Sequence, residues 1–163
     1  MSAPDQGVVR PLVASDRDRV ESIVRAVGNF SAAEIDTALE LVDEWLDLGE
    51  ESGYFVFVLE ADRDVRGYVC VGPTPLTEST YDLYWIAVDA NAQGAGFGQR
   101  LLTFAENEVR RRGGNLLLIE TGSHDSYLAT VRFYERAGYE LLSRIRNYYR
   151  PGDDKLTFGK ALG

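Results

Sequence analysis

Apolar residues recur along the chain in two patterns, one with the period of a helix and one rich in strand-forming residues. Between residues 32 and 48 they lie three or four positions apart, which places them on one face of a helix. Ser31 and Glu34 stand in capping-box spacing at the start of this segment, and Gly49 follows its end. Residues 54–59 are instead a run of aromatic and β-branched side chains, which is typical of a strand.

The same reasoning over the whole chain predicts four helices and seven strands. The helices are predicted at residues 16–27, 32–48, 98–112 and 127–137. The strands are predicted at residues 8–12, 54–59, 65–71, 82–88, 116–121, 139–146 and 156–161. The order strand, helix, strand between residues 82 and 121 predicts a right-handed parallel crossover. We therefore expect a mixed α/β fold with a largely antiparallel start and one parallel unit at its centre.

Length and charge restrict the classes of protein that this chain can belong to. Its 163 residues, 45% of them apolar, predict a single domain over residues 1–163, and no apolar run is long enough to span a bilayer. A net charge of −9 disfavours nucleic-acid binding and docking to an acidic membrane. The first residues lack the features of a secretory signal, which predicts a cytoplasmic location. With one histidine and one cysteine, we expect no zinc site of the Cys/His type and no metal.

The segment between the predicted strand 82–88 and the predicted helix 98–112 carries the clearest chemical signal. Gly94, Gly96 and Gly98 alternate there, so that the backbone can turn sharply and bring its N–H groups close to a ligand. A helix that starts at this point adds free N–H donors and a partial positive charge, a combination suited to a diphosphate. The alternative is structural, because the glycines can simply permit a tight turn.

Two common phosphate-binding loops do not fit this segment. A nucleoside-triphosphate loop needs a Lys, and the chain has only Lys155 and Lys160. A dinucleotide fingerprint that starts at Gly94 requires glycine at the position occupied by Gln99.

The residues around the turn resemble the GCN5-related N-acetyltransferase (GNAT) superfamily. Residues 93–98 match its Gln/Arg-x-x-Gly-x-Gly/Ala signature, and residues 85–88, Trp-Ile-Ala-Val, are similar to its acyl-CoA-contacting strand. Residues 133–139, Phe-Tyr-Glu-Arg-Ala-Gly-Tyr, are similar to its later Tyr-Glu-x-x-Gly-Phe segment. The similarity covers roughly residues 80–140 and implies a GNAT-like fold, in which the mostly antiparallel sheet has a central parallel pair whose strands splay apart.

The resemblance implies that acetyl-CoA is the co-substrate. Backbone N–H groups of residues 94–99 would hold its diphosphate, and main-chain groups of Ile86 and Val88 would pair with its pantetheine arm. Many members carry Asn at the position of Tyr127, so a contact from this residue to the cofactor is an open question. The residues implied in cofactor binding are Ile86, Ala87, Val88, Gln93, Gly94, Ala95, Gly96, Phe97, Gly98, Gln99 and Tyr127.

Acetyl transfer also needs an acid and a base. The resemblance implies that Tyr134 protonates the departing sulfur; packing in the core is the alternative role. Asp82 and Glu120 are the candidate bases. We favour Glu120 slightly, because it follows the apolar run 116–119 and burial would raise its pKa. Both carboxylates can instead be structural or orient the substrate.

The sequence thus predicts an N-acetyltransferase that moves an acetyl group from acetyl-CoA directly to a primary amine. The acidic charge favours a cationic acceptor, either a small molecule or a protein amine. The alternative is a noncatalytic module that binds acyl-CoA. A homodimer is a further expectation, because dimers are common among domains that this chain resembles.

Overall fold

A computed structural model of the protein describes residues 5–163. Each predicted helix and strand is present, with shifts at several ends. The helices are α1 (Arg17–Ala26), α2 (Ala32–Leu48), α3 (Phe97–Arg111) and α4 (Leu128–Arg136). The strands are β1 (Val8–Pro11), β2 (Phe55–Ala61), β3 (Asp64–Pro73), β4 (Thr80–Val88), β5 (Leu116–Gly122), β6 (Glu140–Arg150) and β7 (Asp153–Ala161). None of the helices described between residues 5 and 163 is long and apolar enough to cross a membrane.

The seven strands form one mixed sheet in the order β1-β2-β3-β4-β5-β7-β6. The pairs β1–β2, β2–β3, β5–β7 and β6–β7 are antiparallel, whereas β4 and β5 are parallel. The register between β4 and β5 runs from Thr80↔Leu116 to Leu83↔Ile119, and β4 then continues to Val88. The predicted fold class is confirmed.

Contacts within the chain define two compact units. The first contains residues 5–72 together with Trp85–Asn107, and the second contains Pro73–Tyr84 and Glu108–Gly163. The boundary falls inside β4, between Tyr84 and Trp85. The single domain expected from the sequence stays a prediction.

Helix α2 shows how the apolar pattern forms the core of the first unit. Ile35, Leu39 and Val42 are buried, as their spacing predicts. The capping box is also present: the Glu34 N–H donates to Ser31 Oγ at 3.1 Å, and the Ser31 N–H donates to Glu34 Oε1 at 3.3 Å. The position and the start of α2 therefore both follow from residues that lie close together in the sequence.

Gly67 in β3 permits close packing in the first unit. A Cβ at this position would lie 2.8 Å from the carbonyl oxygen of Ala87 and 2.9 Å from Cδ1 of Leu101. We expect Gly67→Ala to lower the free energy of unfolding by about 1–3 kcal/mol, because the added methyl overpacks this contact. Urea denaturation measures the change. An unaltered midpoint would show that β4 and α3 can shift to accommodate the methyl group with no loss of stability.

Strand β6 is longer than predicted. The sequence places its end at residue 146, whereas the strand extends to Arg150, where pairing with Asp153 resumes after an irregularity. Asn147 adopts a φ of 56° there, and its N–H donates to Asp154 Oδ1 at 2.8 Å. Tyr148 and Tyr149 therefore belong to a strand that is exposed along its whole length.

Candidate active site

The glycine-rich turn between β4 and α3 has the backbone conformation that glycine alone adopts without strain. Gly94 has a φ of +85° and Gly96 a φ of +81°, and a Cβ at either position would meet no other atom within 4 Å. Glycine is therefore needed at these two positions because of the backbone conformation and not because of close packing. Gly98 lies in the first turn of α3, which starts at Phe97, one residue earlier than predicted.

Hydrogen bonds hold the first half of this turn. The Gln93 side chain donates from Nε2 to the carbonyl oxygen of Val88 at 3.1 Å. The carboxylate of Asp89 accepts from the Asn91 N–H at 3.1 Å, and the Asp89 carbonyl accepts from the Ala92 N–H at 2.8 Å. The signature glutamine therefore braces the turn against the end of β4.

The start of α3 supplies the donors that an anion requires. The first helical bond runs from the Arg100 N–H to the Gly96 carbonyl at 3.1 Å, and N–H groups before it belong to the first turn, where a helix offers no internal acceptor. The side chain of Arg100, in the first turn of α3, donates to the carbonyl oxygen of Gly7 at 2.7 Å. Main-chain groups therefore carry the capacity to bind an anion.

The three implied cofactor residues of β4 lie at its carboxyl end. Ala87 is buried, whereas Ile86 and Val88 are partly exposed. All three follow Leu83, the last β4 residue in the register with β5. An extended ligand that pairs with a strand needs main-chain N–H and C=O groups beyond the end of the pairing with the neighbouring strand, as at Ile86 and Val88.

Tyr134 lies in α4, in the second unit, and its side chain is buried with 3% exposure. Burial raises its pKa above the ordinary value, so the phenol is protonated at neutral pH and can act as a proton donor. Its ring contacts those of Phe133 and Tyr139, with centroid distances of 5.4 Å and 5.9 Å. The same burial also suits a packing role in the core.

Asp82, one of the two candidate bases, is partly buried in β4. Burial raises the pKa of its carboxyl above the usual range, and the charge of Glu120 adds to this effect. Thr74 opposes it by donating from Oγ1 to Asp82 Oδ2 at 2.8 Å. A partly buried carboxyl with a raised pKa is suited to general base catalysis.

The burial expected for Glu120 is wrong. Its side chain is 52% exposed, and Lys155 Nζ lies 3.3 Å from its Oε1. The apolar run 116–119 alternates between the two faces of β5, so a residue that follows it does not inherit its burial. The reason for favouring Glu120 over Asp82 is thereby removed.

Lys155 connects Glu120 with the two exposed tyrosines of β6. Its Nζ lies 4.7 Å from the ring centroid of Tyr148, whose ring meets that of Tyr149 edge to face. Burial, with a contribution from the charge of Glu120, raises the pKa of Tyr149 to about 12. The ammonium group of Lys155 thus lies between the ring of Tyr148 and the carboxylate of Glu120.

Tyr127 lies at the N-terminus of α4, and its ring is near the backbone of Gly122. A Cβ at position 122 would lie 3.1 Å from the Tyr127 ring and 2.8 Å from Asp153 Oδ1. This carboxylate also accepts from the N–H groups of Ser123 and His124, each at 3.1 Å. His124 Nδ1 in turn accepts from the Ser126 N–H at 3.2 Å, so the lone histidine serves the local turn.

Sequence reasoning missed Thr74 and Lys155, which modulate Asp82. Neither belongs to a recognisable motif. The β5–β7 register shows why Lys155 reaches Glu120: Lys155 of β7 pairs with Gly122 of β5 and Thr157 pairs with Glu120, so Lys155 is a diagonal neighbour of Glu120. Cys70 is buried and its burial raises the pKa of the thiol, as expected of an inert cysteine. Within residues 5–163, no three His, Cys, Asp or Glu side chains come together as a metal site.

Comparison with known proteins identifies the family. A model of the acetyltransferase (GNAT) domain matches residues 52–141. The structure is similar to that of a GNAT-family protein from Desulfovibrio desulfuricans, with 43% sequence identity, a TM-score of 0.92 and coverage of 96% of this chain and 99% of the other.

Two curated relatives match over shorter segments. Blasticidin-S acetyltransferase of Streptomyces morookaense is 40% identical over 68 residues, which is 41% of this chain and 46% of that protein. The ribosomal protein bS18-alanine N-acetyltransferase of Haemophilus ducreyi is 30% identical over 90 residues, 55% of this chain and 58% of that protein. The matched segments thus span about half the length of these relatives. The domain match and the Desulfovibrio desulfuricans structure place this chain in the GNAT family of acetyltransferases, whose acetyl donor is acetyl-CoA.

Proposed function

We propose that this protein transfers the acetyl group of acetyl-CoA directly to a primary amine. The observation that carries the proposal is the turn at Gly94 and Gly96, which leads into the N-terminus of α3. A Cβ added at either glycine would meet no other atom within 4 Å. Its N–H groups suit a diphosphate because they provide donors and a partial positive charge without the cost of side-chain ordering. The turn also lies within the segment that matches the GNAT domain.

Acetyl-CoA would bind through the main chain of two neighbouring segments. Backbone N–H groups of residues 94–99 would hold its diphosphate, and the carboxyl end of β4 at Ile86 and Val88 would pair with the pantetheine arm. This end of β4 extends beyond its register with β5, which supports the assignment. When bound, the cofactor supplies a thioester as the activated acetyl group.

The amine nitrogen would attack the thioester carbonyl carbon, so that a C–N bond forms and the C–S bond breaks. An amine with a pKa of about 10.4 must first lose a proton, which at pH 7 costs about 4 to 5 kcal/mol. Asp82, acting through a water molecule, would take this proton, and Tyr134 would give its phenolic proton to the departing thiolate. The second proton, which the nitrogen loses as it becomes an amide, would restore the Tyr134 phenol. Tyr134 is neutral and carries the proton that its role needs, and the raised pKa of Asp82 makes its carboxylate a stronger base.

We infer a cationic acceptor. The chain carries a net charge of −9, and the negative charge of Glu120 acts on both Asp82 and Tyr149. Aromatic rings and carboxylates together recognise ammonium groups. The blasticidin-S and bS18-alanine acetyltransferases offer two models, one with a small-molecule acceptor and one with a protein alanine.

A thiol-release assay with acetyl-CoA tests the proposal. The acceptors would be a library of small cationic amines and a set of peptides with N-terminal alanine. We expect turnover with at least one cationic amine and less with neutral amines of the same size. Binding of acetyl-CoA without turnover of any amine would favour the noncatalytic acyl-CoA-binding module instead.

The assignment of Asp82 as the base predicts a characteristic pH profile. Because the carboxylate must be ionised to accept a proton, kcat/KM falls as pH decreases through the pKa of Asp82. Thr74→Val removes a hydrogen bond that stabilises the carboxylate, so this acidic limb shifts to higher pH. Glu120→Gln removes a neighbouring negative charge, so the limb shifts to lower pH. Asp82→Asn should reduce kcat/KM by about 10²-fold or more and remove the limb.

Steady-state rates between pH 5 and pH 9 measure these shifts. Circular dichroism of each variant across the same range controls for unfolding. An Asp82→Asn enzyme with the wild-type profile would assign Asp82 a structural role, and loss of the limb in Glu120→Gln would transfer the role of base to Glu120.

A cytoplasmic location and a homodimer stay predictions from the sequence. Analytical sedimentation can test the homodimer.

A further inference from the structure

A buried carboxylate lies at the base of the turn that is assigned to the diphosphate. Asp89 follows β4 directly, and its side chain is only 7% exposed. Its Oδ1 accepts from the Asn91 N–H, while its own N–H donates to the carbonyl oxygen of Arg66 at 2.7 Å. Because Gly94 is only five residues further along the chain, the position of Asp89 sets where the turn begins.

Arg19 of α1 neutralises this carboxylate. One Nη2 hydrogen bond reaches Asp89 Oδ2, and the same guanidinium forms a fork with Asp64, with distances of 3.0 Å from Nε and 3.2 Å from Nη2. Arg66 completes the group, since its Nη1 lies 3.6 Å from Asp64 Oδ2 and 4.0 Å from Asp89 Oδ2. Two arginines thus balance two aspartates.

These contacts keep both aspartates ionised. The Asn91 N–H and the Arg19 guanidinium lower the pKa of Asp89, although its burial opposes them. The Arg19 guanidinium likewise lowers the pKa of Asp64. A full negative charge therefore persists beside a turn that should attract a dianionic ligand, and only its arginine partners offset it.

We propose that Arg19 is a positioning residue of the acetyl-CoA site, which holds Asp89 in place and cancels its charge so that the turn can bind the diphosphate. Arg19 acts through Asp89 and needs no contact with the cofactor. The inference rests on the proposed function, because it assigns a role toward acetyl-CoA. Without Arg19, Asp89 would be a buried carboxylate with a weakened set of partners, and it would repel the diphosphate.

The test compares Arg19→Met with the double variant Arg19→Met/Asp89→Asn. We expect Arg19→Met to raise the KM for acetyl-CoA, and the calorimetric Kd for CoA, about tenfold to a hundredfold. Its kcat at saturating acetyl-CoA should change less than about twofold, because the acid and base are untouched. The double variant should recover most of the affinity, since Asn removes the negative charge and keeps an acceptor for the Asn91 N–H.

Arg17→Met is the matched control. Arg17 lies in the same helix, is 31% exposed where Arg19 is 30% exposed, and forms a comparable fork with Asp43 together with a bond to Glu21. We expect its KM for acetyl-CoA to stay within about twofold of the wild type. If Arg19→Met does not fold by circular dichroism, Arg19→Gln replaces it, because Gln keeps a donor for Asp89 without the charge.

The outcomes separate this inference from the proposed function. Wild-type protein that does not bind acetyl-CoA or CoA contradicts the proposed function itself. Wild-type protein that binds, with Arg19→Met binding equally well, overturns only the role of Arg19. A double variant that binds no better than Arg19→Met also overturns it, because the proposal requires that removal of the Asp89 charge ends the repulsion of the diphosphate.

Discussion

Gly96→Asp should lose at least about a hundredfold in affinity for acetyl-CoA. The new carboxylate would project from a backbone position with a φ of +81° and no atom within 4 Å, into the space assigned to the diphosphate. Both its volume and its charge oppose the ligand, because the anion is held there by N–H donors and a partial positive charge. Folding should suffer little, since Asp is among the residues that tolerate the left-handed region at a cost of about 1 kcal/mol. Isothermal titration calorimetry with acetyl-CoA measures the loss.

Two companion variants isolate the cause. Gly96→Asn adds nearly the same volume without the charge, and we expect it to lose less affinity than Gly96→Asp. Gly113→Asp is a matched control beyond the other end of α3, with a φ of +86° and no atom within 4 Å of an added Cβ. It should bind acetyl-CoA like the wild type. Unchanged affinity in Gly96→Asp would remove the turn from the cofactor site.

Tyr134→Phe should reduce kcat by about 10² to 10⁴-fold while acetyl-CoA still binds. The variant removes the proton that we assign to the departing thiolate, and general acid catalysis is worth about this much. The ring, its buried packing and its contacts with Phe133 and Tyr139 remain. Rates at saturating acetyl-CoA, together with the calorimetric affinity, separate catalysis from binding.

Tyr139→Phe is the control for this variant. Tyr139 is buried to the same 3% exposure and its ring lies 5.9 Å from that of Tyr134, but it lies outside α4, beyond Gly138. Loss of its hydroxyl should alter stability more than kcat. If Tyr134→Phe keeps the wild-type kcat, Tyr134 fills the core and another group protonates the thiolate.

The local signals of the sequence were reliable where the structure depends on neighbours in the chain. The capping box at Ser31 and Glu34 and the buried face of α2 follow from spacing alone, because helix geometry relates residues three and four positions apart. The turn at Gly94 and Gly96 was also readable, since only glycine adopts its backbone angles freely. The later segment around Tyr134 added a second match, and together they identified the family that the domain comparison confirms.

The sequence by itself thus determined the order of helices and strands, the parallel crossover and the glycine turn, each of which is written in residues close together along the chain. Only the tertiary structure decided which carboxylate is partly buried: Asp82 accepts a hydrogen bond from Thr74, whereas Glu120 is exposed beside Lys155. Burial and charge at a side chain depend on every element that packs against it. Thr74 lies in the segment between β3 and β4, and Lys155 comes from β7, whose register with β5 the sequence does not state. For the same reason nothing in the sequence linked Arg19 to Asp89, 70 positions further on.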